Sequence, residues 1–514
     1  MRMFIRSLWL SLAVIFIAAC GGSDGGAGGS NAGNDATLSS LSLNGAALDQ
    51  LFQSHQTSYT AGVGFLRSSL KVTATVTDSK ATLTVNGKVV ASGSESSVIA
   101  LAEGSNTIAV VVTAEDGTTT QTYSIEVTRQ LLASLVETKR TASDAAAGDW
   151  FGLSVAVAGD TAVVGANLED AGGFFNTGAA YVFTRSGSSW SEQAKLVASD
   201  AAAVDRFGSS VAVSGETVVV GASHEDAGGS DAGAAYVFTR SGSSWSEQAK
   251  LVASDAEAGD LFGRSVAVSG ETVVVGAWGE DAGGAGAGAA YVFTRSGGSW
   301  SEQAKLTASD AQANDQFGYS TAVSDETVVV GADAEDEGGS NAGAAYVFTR
   351  SGGSWSEQAK LTSSDTQAND RFGSYVAVSG ETIVVGAWAE TTSGTSAGAA
   401  YVFTRSGGSW SEQAKLMASD AEAGDRFGSS VAVSGETVVV GASHEDAGGS
   451  AAGAAYVFAR SGGSWSEQAK LTASDATADD RFGFSVAVAD ETAVVGAYGE
   501  DAGGSDAGAA YIYQ

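Results

Sequence analysis

The sequence has no proline, one cysteine and three histidines among its 514 residues. A single cysteine cannot build a disulfide framework or a thiolate metal cage. The histidines have no cysteine partners and no metal-ligand spacing, so they do not indicate a zinc site either. Nothing in the sequence explains the complete absence of proline.

Positive charge is also scarce, since 26 Lys and Arg stand against 59 Asp and Glu, for a net charge of −33. Proteins that bind nucleic acid neutralise phosphates with clustered Lys and Arg side chains. No such cluster occurs in this chain. Nucleic acid is therefore excluded as a partner, and basic or cationic partners are favoured.

The N-terminus reads as an export signal. Met1–Arg6 is basic, and the apolar run Leu8–Ala19 is too short for a membrane-spanning helix of about 20 residues. Ile17–Cys20 resembles a bacterial lipobox, which implies cleavage after residue 19 and a lipid anchor on Cys20. Gly21 after the lipidated cysteine favours the outer membrane or cell surface. The alternative is an ordinary signal peptide with an unrelated thiol.

Two segments follow the expected signal peptide, which spans residues 1–20. Residues 21–35 are rich in Gly and Ser and are expected to form a flexible linker. Residues 36–130 contain short alternating strands, with Asn86-Gly87 and Asp116-Gly117 placed as two-residue hairpin turns. This pattern predicts a small antiparallel β-sandwich. Its end, NTIAVVVTAEDGTTTQTYSIEVTR, resembles the cadherin-like β-sandwich domain, which implies a spacer or adhesion role.

The rest of the chain repeats one unit. A Phe-Gly pair recurs every 55 residues after one step of 56, beginning at Phe151, Phe207, Phe262, Phe317, Phe372, Phe427 and Phe482. A fixed period of this size indicates a stacked or circular array of one supersecondary unit. Each unit contains an alternating strand, a TVVVGA-type buried strand, an AAYVFTR strand and a WSEQAKL strand. Four strands joined by hairpins are typical of a β-propeller blade.

The predicted fold is all-β, with a seven-bladed β-propeller over residues 131–514 that follows the sandwich almost without a linker. The last unit stops at Gln514 before its fourth strand, and Ser134–Asp144 occupies the matching place before the first unit. We therefore expect an N-terminal strand to close the seventh blade, with no open sheet edge.

The seven Phe-Gly units resemble the FG-GAP repeat family, the blades of the integrin α-chain head and of bacterial surface proteins. Members that bind calcium carry an Asp-x-Asp-x-Asp-Gly loop between the first two strands. Here that loop is only Ser-Gly-Glu-Thr, too short to supply six to eight oxygens. The resemblance therefore assigns no calcium site to this chain.

Strand connectivity places the hairpin turns SGET and TRSGGS on one face of the propeller. The long loops between second and third strands, and the crossovers between blades, lie on the other face, which carries more than half of the acidic residues. We call these the turn face and the crossover face. Divalent cation binding, with possible calcium, is one hypothesis for Asp333, Glu335, Asp336 and Glu337. The alternative is that these carboxylates are solvated turn residues that keep the protein soluble.

Departures from the repeat are the second clue. Trp278, Trp388 and Tyr498 occupy one loop position in three blades, and Phe174 and Phe175 lie in the enlarged loop of the first blade. Exposed aromatics stack on sugars or anchor protein partners. The alternative is that they fill a slot that proline occupies in the family.

No catalytic motif stands out, and near-identical blades offer few places for one asymmetric constellation. We therefore expect a monomeric, non-enzymatic binding or adhesion module, anchored to a membrane by its N-terminal lipid, that needs no cofactor and binds an extracellular protein or glycan. The alternatives are a carbohydrate-active enzyme that uses a pair of carboxylates on the crossover face, and a purely structural spacer.

Overall fold

The computed structural model describes residues 33–514. The expected signal peptide, the lipidation site Cys20 and most of the linker lie outside the described residues. Within 33–514 the regular structure is strand, apart from two short 3-10 turns at Leu132–Ser134 and Ala171–Gly173. This part of the chain holds no helix with the length and apolarity needed to cross a bilayer.

The N-terminal unit is a sandwich of two sheets. Its strands are β1 (Leu38–Asn44), β2 (Ser58–Val63), β3 (Ser69–Val76), β4 (Thr82–Val85), β5 (Lys88–Val90), β6 (Ile99–Ala100), β7 (Gly104–Thr113) and β8 (Thr120–Arg129). One sheet has the order β1-β3-β6 and the other β2-β8-β7-β4-β5. Alternate residues of each long strand point into a shared core that includes Val72, Val110 and Tyr123, all fully buried. The alternation predicted from the sequence therefore places the core correctly.

Two details of the sandwich differ from expectation. The sheet is not fully antiparallel, because β2 pairs with β8 in parallel, and the five intervening strands supply the crossover that parallel pairing needs. Asn86 has the positive φ of 48° expected for its turn, but Asp116 does not. Asp116 instead accepts hydrogen bonds from the backbone of Thr118 and Thr119 in a longer loop. Its side chain therefore organises a turn that the Asp-Gly pair alone does not define.

Seven four-stranded sheets follow. Blade 1 contains β10 (Phe151–Ala158), β11 (Thr161–Ala166), β12 (Ala179–Ser186) and β13 (Ser189–Leu196), and blade 2 contains β14 (Phe207–Ser214), β15 (Thr217–Ala222), β16 (Ala234–Ser241) and β17 (Ser244–Leu251). Blade 3 contains β18 (Ser265–Ser269), β19 (Thr272–Ala277), β20 (Ala289–Ser296) and β21 (Ser299–Leu306), and blade 4 contains β22 (Phe317–Ser324), β23 (Thr327–Ala332), β24 (Ala344–Ser351) and β25 (Ser354–Leu361). Blade 5 contains β26 (Tyr375–Ser379), β27 (Thr382–Ala387), β28 (Ala399–Ser406) and β29 (Ser409–Leu416), and blade 6 contains β30 (Phe427–Ser434), β31 (Thr437–Ala442), β32 (Ala454–Ser461) and β33 (Ser464–Leu471). Blade 7 contains β34 (Ser485–Ala489), β35 (Thr492–Ala497), β36 (Ala509–Tyr513) and the N-terminal strand β9 (Glu137–Arg140).

The Phe-Gly pair joins neighbouring blades. Phe207 is fully buried and packs against the rings of Tyr236 and Phe238, with centroids 5.5 and 6.0 Å away. A Cβ at Gly208 would lie 2.3 Å from the carbonyl oxygen of Ala179 in the previous blade. Only glycine permits this approach, so the pair is a packing device repeated in every blade.

Blade 7 is completed from the N-terminal side of the propeller. Arg140 pairs with Ala510, and Glu137 pairs with Tyr513 at the end of β36. The strand is shorter than the sequence indicated, because Ser134 lies in a 3-10 turn. Phe151 also forms the same parallel bridge to blade 7 that Phe207 forms to blade 1. The first and seventh blades are therefore neighbours.

The sandwich docks on the turn face between blades 6 and 7. Phe65 and Leu66 are buried in a cluster with blade 6 and blade 7 residues. Arg67 bonds Asp490 at 2.7 Å and lies 3.3 Å from Glu491. In the first six blades the corresponding hairpin carboxylate pairs with an Arg of the third strand, as Glu326 does with Arg350. In blade 7 the hairpin carboxylates Asp490 and Glu491 face Arg67 of the sandwich instead.

Thr138→Pro should lower the melting temperature by several degrees, because proline interrupts the ladder between β9 and β36 that holds the two ends of the propeller together. Ala249→Pro is the matched control, since it occupies the same register in the outer strand of blade 2. The outer strand of blade 2 is joined to its pairing partner β16 by a hairpin, so its loss should cost less. Equal losses in thermal denaturation would contradict a special role for β9.

Arg67→Gln should release the sandwich from the turn face, since it removes the charge that faces Asp490 and Glu491. We expect a larger radius of gyration by small-angle X-ray scattering and faster proteolysis between residues 130 and 136. Lys80→Gln removes an ion pair to Glu115 inside the sandwich and should change neither. An unchanged scattering profile for Arg67→Gln would show that apolar contacts alone hold the domains together.

Candidate functional site

Most carboxylates of the crossover face belong to structural networks. In blade 4, Lys360 of the outer strand bonds Asp310 at 2.6 Å and Glu335 at 3.1 Å, and the Tyr346 hydroxyl donates to Asp310. Equivalent lysines bridge equivalent carboxylates in the other blades. In blade 7 the lysine is Lys139 of β9. This network ties each outer strand to the loops of its own blade.

The network sets the titration of its members. Burial disfavours the charged form of Asp310, but hydrogen bonds from Lys360 and Tyr346 outweigh it and hold the pKa of Asp310 below its usual range. Burial and the hydrogen bond to Asp310 raise the pKa of the Tyr346 phenol. Asp310 is therefore an anion, and Tyr346 a neutral donor, at any pH near neutrality.

Two further carboxylates per blade shape the loops. Asp315 is buried and accepts a hydrogen bond from the backbone N–H of Gln312 at 2.7 Å. Burial raises the pKa of Asp315. Asp336 accepts a hydrogen bond from the backbone N–H of Asn341 at 2.7 Å. Equivalents of both bonds recur around the ring, except that Thr391 replaces the second aspartate in blade 5. Asp and Gly in these loops therefore serve turn geometry.

The four residues considered for a cation go to three places. Asp333 is buried, 3.8 Å from the guanidinium of Arg371 and 3.4 Å from the hydroxyl of Ser374. Asp336 shapes its own loop. Only Glu335 and Glu337 come together, and they do so with Asp310, which the sequence did not single out.

This trio does not fit calcium. The ammonium of Lys360 already lies 2.6 to 3.1 Å from one oxygen of each carboxylate. The cluster brings together only one oxygen from each of three carboxylates, whereas calcium prefers six to eight oxygens. The lysine supplies the positive charge that a cation would bring, so the trio is an ion-pair cluster.

A cavity of about 360 Å³ opens at the centre of the ring, at the crossover end of the inner strands. We call it the channel mouth. It is lined mainly by the residues on either side of each Phe-Gly pair. Ser154, Ser265, Ser320 and Ser485 line it with hydroxyls that are bonded to the backbone of the next blade. These serines are therefore fixed by blade packing.

The blades differ from one another at this mouth. The residue after Phe-Gly lines it in five blades, as Leu153, Ser209, Arg264, Tyr319 and Phe484, whereas Ser374 and Ser429 are buried. The second, third and outer strands are nearly constant by comparison. One variable position of the repeat therefore faces a concave surface that several blades share.

Three of the aromatic residues noted in the sequence border this mouth or its rim. Trp278 packs on Tyr319 with ring centroids 6.4 Å apart. Tyr498 packs on Trp150 at 5.3 Å and on Phe484 at 4.7 Å. The guanidinium of Arg426 lies over Trp388 at 5.1 Å. All three are half-buried, and they support the wall by stacking.

The other two noted aromatics are elsewhere. Phe174 and Phe175 follow the 3-10 turn in the loop of blade 1 and are 53% and 66% exposed. They do not line the cavity. The structure therefore divides the five aromatic candidates between the rim of the mouth and an outer loop.

Arg264, Tyr319 and Tyr375 line the mouth and were missed in the sequence. The guanidinium of Arg264 lies 5.0 Å from the ring centre of Tyr319 and 3.4 Å from its hydroxyl. Burial raises the pKa of Tyr375 to about 12, so its phenol stays a hydrogen-bond donor. The available signal was the variable position after Phe-Gly, but its direction toward a shared cavity depends on the ring.

Two histidines occupy one loop position in blades 2 and 6. Burial, followed by the charges of Arg426 and Arg481, lowers the pKa of His444 to about 4. Burial and the charge of Arg206 lower the pKa of His224, which lines the mouth. Each ring nitrogen Nδ1 contacts the hydroxyl of the preceding serine. Both imidazoles are neutral at physiological pH and act as polar wall residues.

Comparison with known proteins agrees with this architecture. The FG-GAP repeat profile matches seven segments, at residues 136–183, 190–238, 245–293, 300–348, 355–403, 410–458 and 465–513. The profile described as a cadherin-like beta sandwich domain matches residues 38–130. A protein of Evansella cellulosilytica named "Putative membrane protein" is 35% identical over 109 residues, which are 21% of this chain and 16% of that protein.

A propeller carrying a cadherin-like sandwich is the composition of a surface adhesion-type module. The chain belongs to the FG-GAP repeat family. The aligned part spans about a sixth of the Evansella relative, so the likeness is to one portion of that protein.

Lys360→Met should lower the free energy of unfolding by about 1–2 kcal/mol at pH 7, because it leaves the buried Glu335 facing the more exposed carboxylates Asp310 and Glu337. The lysine holds the pKa of Asp310 down, so its contribution is full above the ordinary carboxyl pKa and is lost as the pH falls through the lowered value. The deficit should therefore shrink below about pH 4. Denaturant unfolding at several pH values measures it.

Lys88 is exposed. Lys88→Met is therefore the control for the loss of one positive charge, and it should leave stability nearly unchanged. A Lys360→Met deficit that stays constant from pH 7 to pH 3 would show that packing of the lysine stem, rather than its charge, matters at this position.

Proposed function

We propose that this chain is an exported, lipid-anchored, non-enzymatic binding module that takes an extracellular protein or glycan at the channel mouth. The observation that carries the proposal is the change of residue from blade to blade at the position after Phe-Gly, which brings Leu153, Arg264, Tyr319 and Phe484 to the mouth. The second, third and outer strands are nearly constant, which is expected where packing dictates the residue. Because serine stands at this position in blades 2, 5 and 6, the repeat does not require an aromatic or arginine residue there, and such side chains on a concave surface are typical of a binding site.

The position of the sandwich supports the same face. Phe65 and Leu66 cover part of the turn face, and the mouth opens at the opposite end of the inner strands. With Cys20 as the anchor, the sandwich would stand between the membrane and the propeller. The mouth would then face away from the bilayer, where a large ligand can reach it.

A binding role also accounts for the acidic crossover face better than catalysis does. A glycosidase needs two carboxylates in different environments, one to donate a proton and one to act as base or nucleophile. The Asp310 and Glu335 type carboxylates are bonded to lysine, tyrosine or backbone in repeated form. Groups held in this way maintain the loops, so no catalytic step is proposed for them.

Replacement of Tyr319 and Phe484 by serine tests the proposal, because serine stands at this position in blades 2, 5 and 6 and preserves the repeat. The full chain should bind glycans or matrix proteins on an array, and the double variant should lose affinity at least tenfold, as expected when two aromatic contacts are removed. The melting temperature should stay within about 2 °C, since both side chains face the cavity.

Phe175→Ser is the matched control, because it removes an aromatic from the outer loop and should retain binding. Chelation with EDTA should have no effect, since no calcium is invoked. Undiminished binding by the Tyr319 and Phe484 variant would move the site away from the mouth. Silence of the wild-type chain on every array would instead favour a structural spacer.

A further inference from the structure

We propose that the channel mouth binds a carboxylate-bearing sugar at the end of a glycan, with Arg206 and Arg264 as its anion-binding residues. This inference rests on the proposed function and names its ligand class. It rests on the charge of the cavity wall, on two arginines without a carboxylate partner, and on the size and lining of the cavity.

The wall of the mouth has the opposite sign to the protein. The whole chain carries 59 acidic residues against 26 basic ones. The described residues that line the mouth include Arg206 and Arg264 and no Asp or Glu. A cavity with locally positive walls inside an acidic protein selects against cations and attracts a single anionic group.

Arg206 and Arg264 also differ from the repeated basic residues of the propeller. The repeated arginines of the turn face pair with hairpin carboxylates, and the lysines of the outer strands pair with loop carboxylates. Among described residues, neither Arg206 nor Arg264 has a carboxylate within 4 Å, and the buried Asp333 is the one carboxylate whose charge acts on Arg264 from farther away. The Nε of Arg206 is buried without a hydrogen-bond acceptor. An anion at the mouth would supply the missing counter-charge to both guanidinium groups.

A carboxylate suits these residues geometrically. The planar guanidinium presents two parallel donors, which match the two oxygens of a carboxylate. Arg264 is already oriented by its stacking on Tyr319, so little side-chain entropy is lost when a ligand binds. The phenols of Tyr319 and Tyr375 lie on the same wall, where they can bond the hydroxyls of a sugar.

The rest of the wall favours a sugar ring over a peptide. The volume of about 360 Å³ lies at the low end of the range for small-ligand sites, about 300–1,000 Å³. Trp150 and Phe484 line one side with aromatic surface, which packs against the C–H face of a pyranose. A cavity of this size admits a terminal sugar unit, whereas a peptide segment would need a longer groove with backbone partners.

The test compares two immobilised oligosaccharides that differ only at the terminal unit, glucuronic acid in one and glucose in the other. The full chain should bind the acidic form at least about tenfold more tightly, as expected for charge-assisted hydrogen bonds. Arg264→Gln should abolish this preference, and Arg264→Lys should restore it only in part because it lacks the fork. Raising the salt concentration should weaken binding of the acidic form alone.

Arg350→Gln, which removes a paired arginine from the turn face, is the control and should leave the preference intact. Melting temperatures of the variants establish that each is folded. Equal affinity for the two sugars, or a preference that survives Arg264→Gln and Arg206→Gln, would overturn the ligand class.

The outcome also separates this inference from the function on which it rests. Binding of a protein or a neutral glycan that depends on Tyr319 and Phe484 would overturn the acidic sugar but keep the binding module. Failure of the wild-type chain to bind any glycan or protein would overturn both.

Discussion

The contact on which the propeller depends is the close approach of neighbouring blades at the Phe-Gly pair. A Cβ at Gly208 would lie 2.3 Å from one carbonyl oxygen, and a Cβ at Gly221 would lie 1.9 Å from another. Glycines at such contacts, repeated in every blade, therefore let backbones meet directly. Because each blade contacts only its neighbours, the same contact must form seven times, which explains why the sequence repeats so closely.

Charge in this molecule is divided by role. The acidic crossover face owes its composition to lysine bridges and turn hydrogen bonds, as Asp310, Asp315 and Asp336 show. These groups are largely satisfied by partners within the fold. The mouth, in contrast, carries Arg206 and Arg264 without carboxylates in its wall. The high net charge therefore reflects solubility and loop geometry, whereas Arg206 and Arg264, which have no carboxylate partner, mark the candidate site.

The period and strand pattern were enough to predict the blades, their number and the N-terminal strand of blade 7, because a β-propeller follows from local alternation and a fixed repeat. The site was less accessible. Glu335 and Glu337 are close in sequence, but their partner Asp310 comes from the crossover before the blade. Arg264 and Phe484 are 220 positions apart and meet only across a closed ring. The docking of Arg67 on the hairpin of blade 7 joins two domains, which no local pattern contains.

Backbone geometry adds an independent reason to treat the mouth as a built surface. The residue before each Phe-Gly pair has a positive φ, for example 57° at Trp150, 56° at Arg206 and 58° at Arg426. Glycine is the residue that adopts this conformation without strain, and this chain uses glycine freely elsewhere. Retention of Trp and Arg costs about 1 kcal/mol or more at each position. All seven blades carry a non-glycine side chain at this strained position, and in the first two blades that side chain, Trp150 or Arg206, reaches the wall of the cavity.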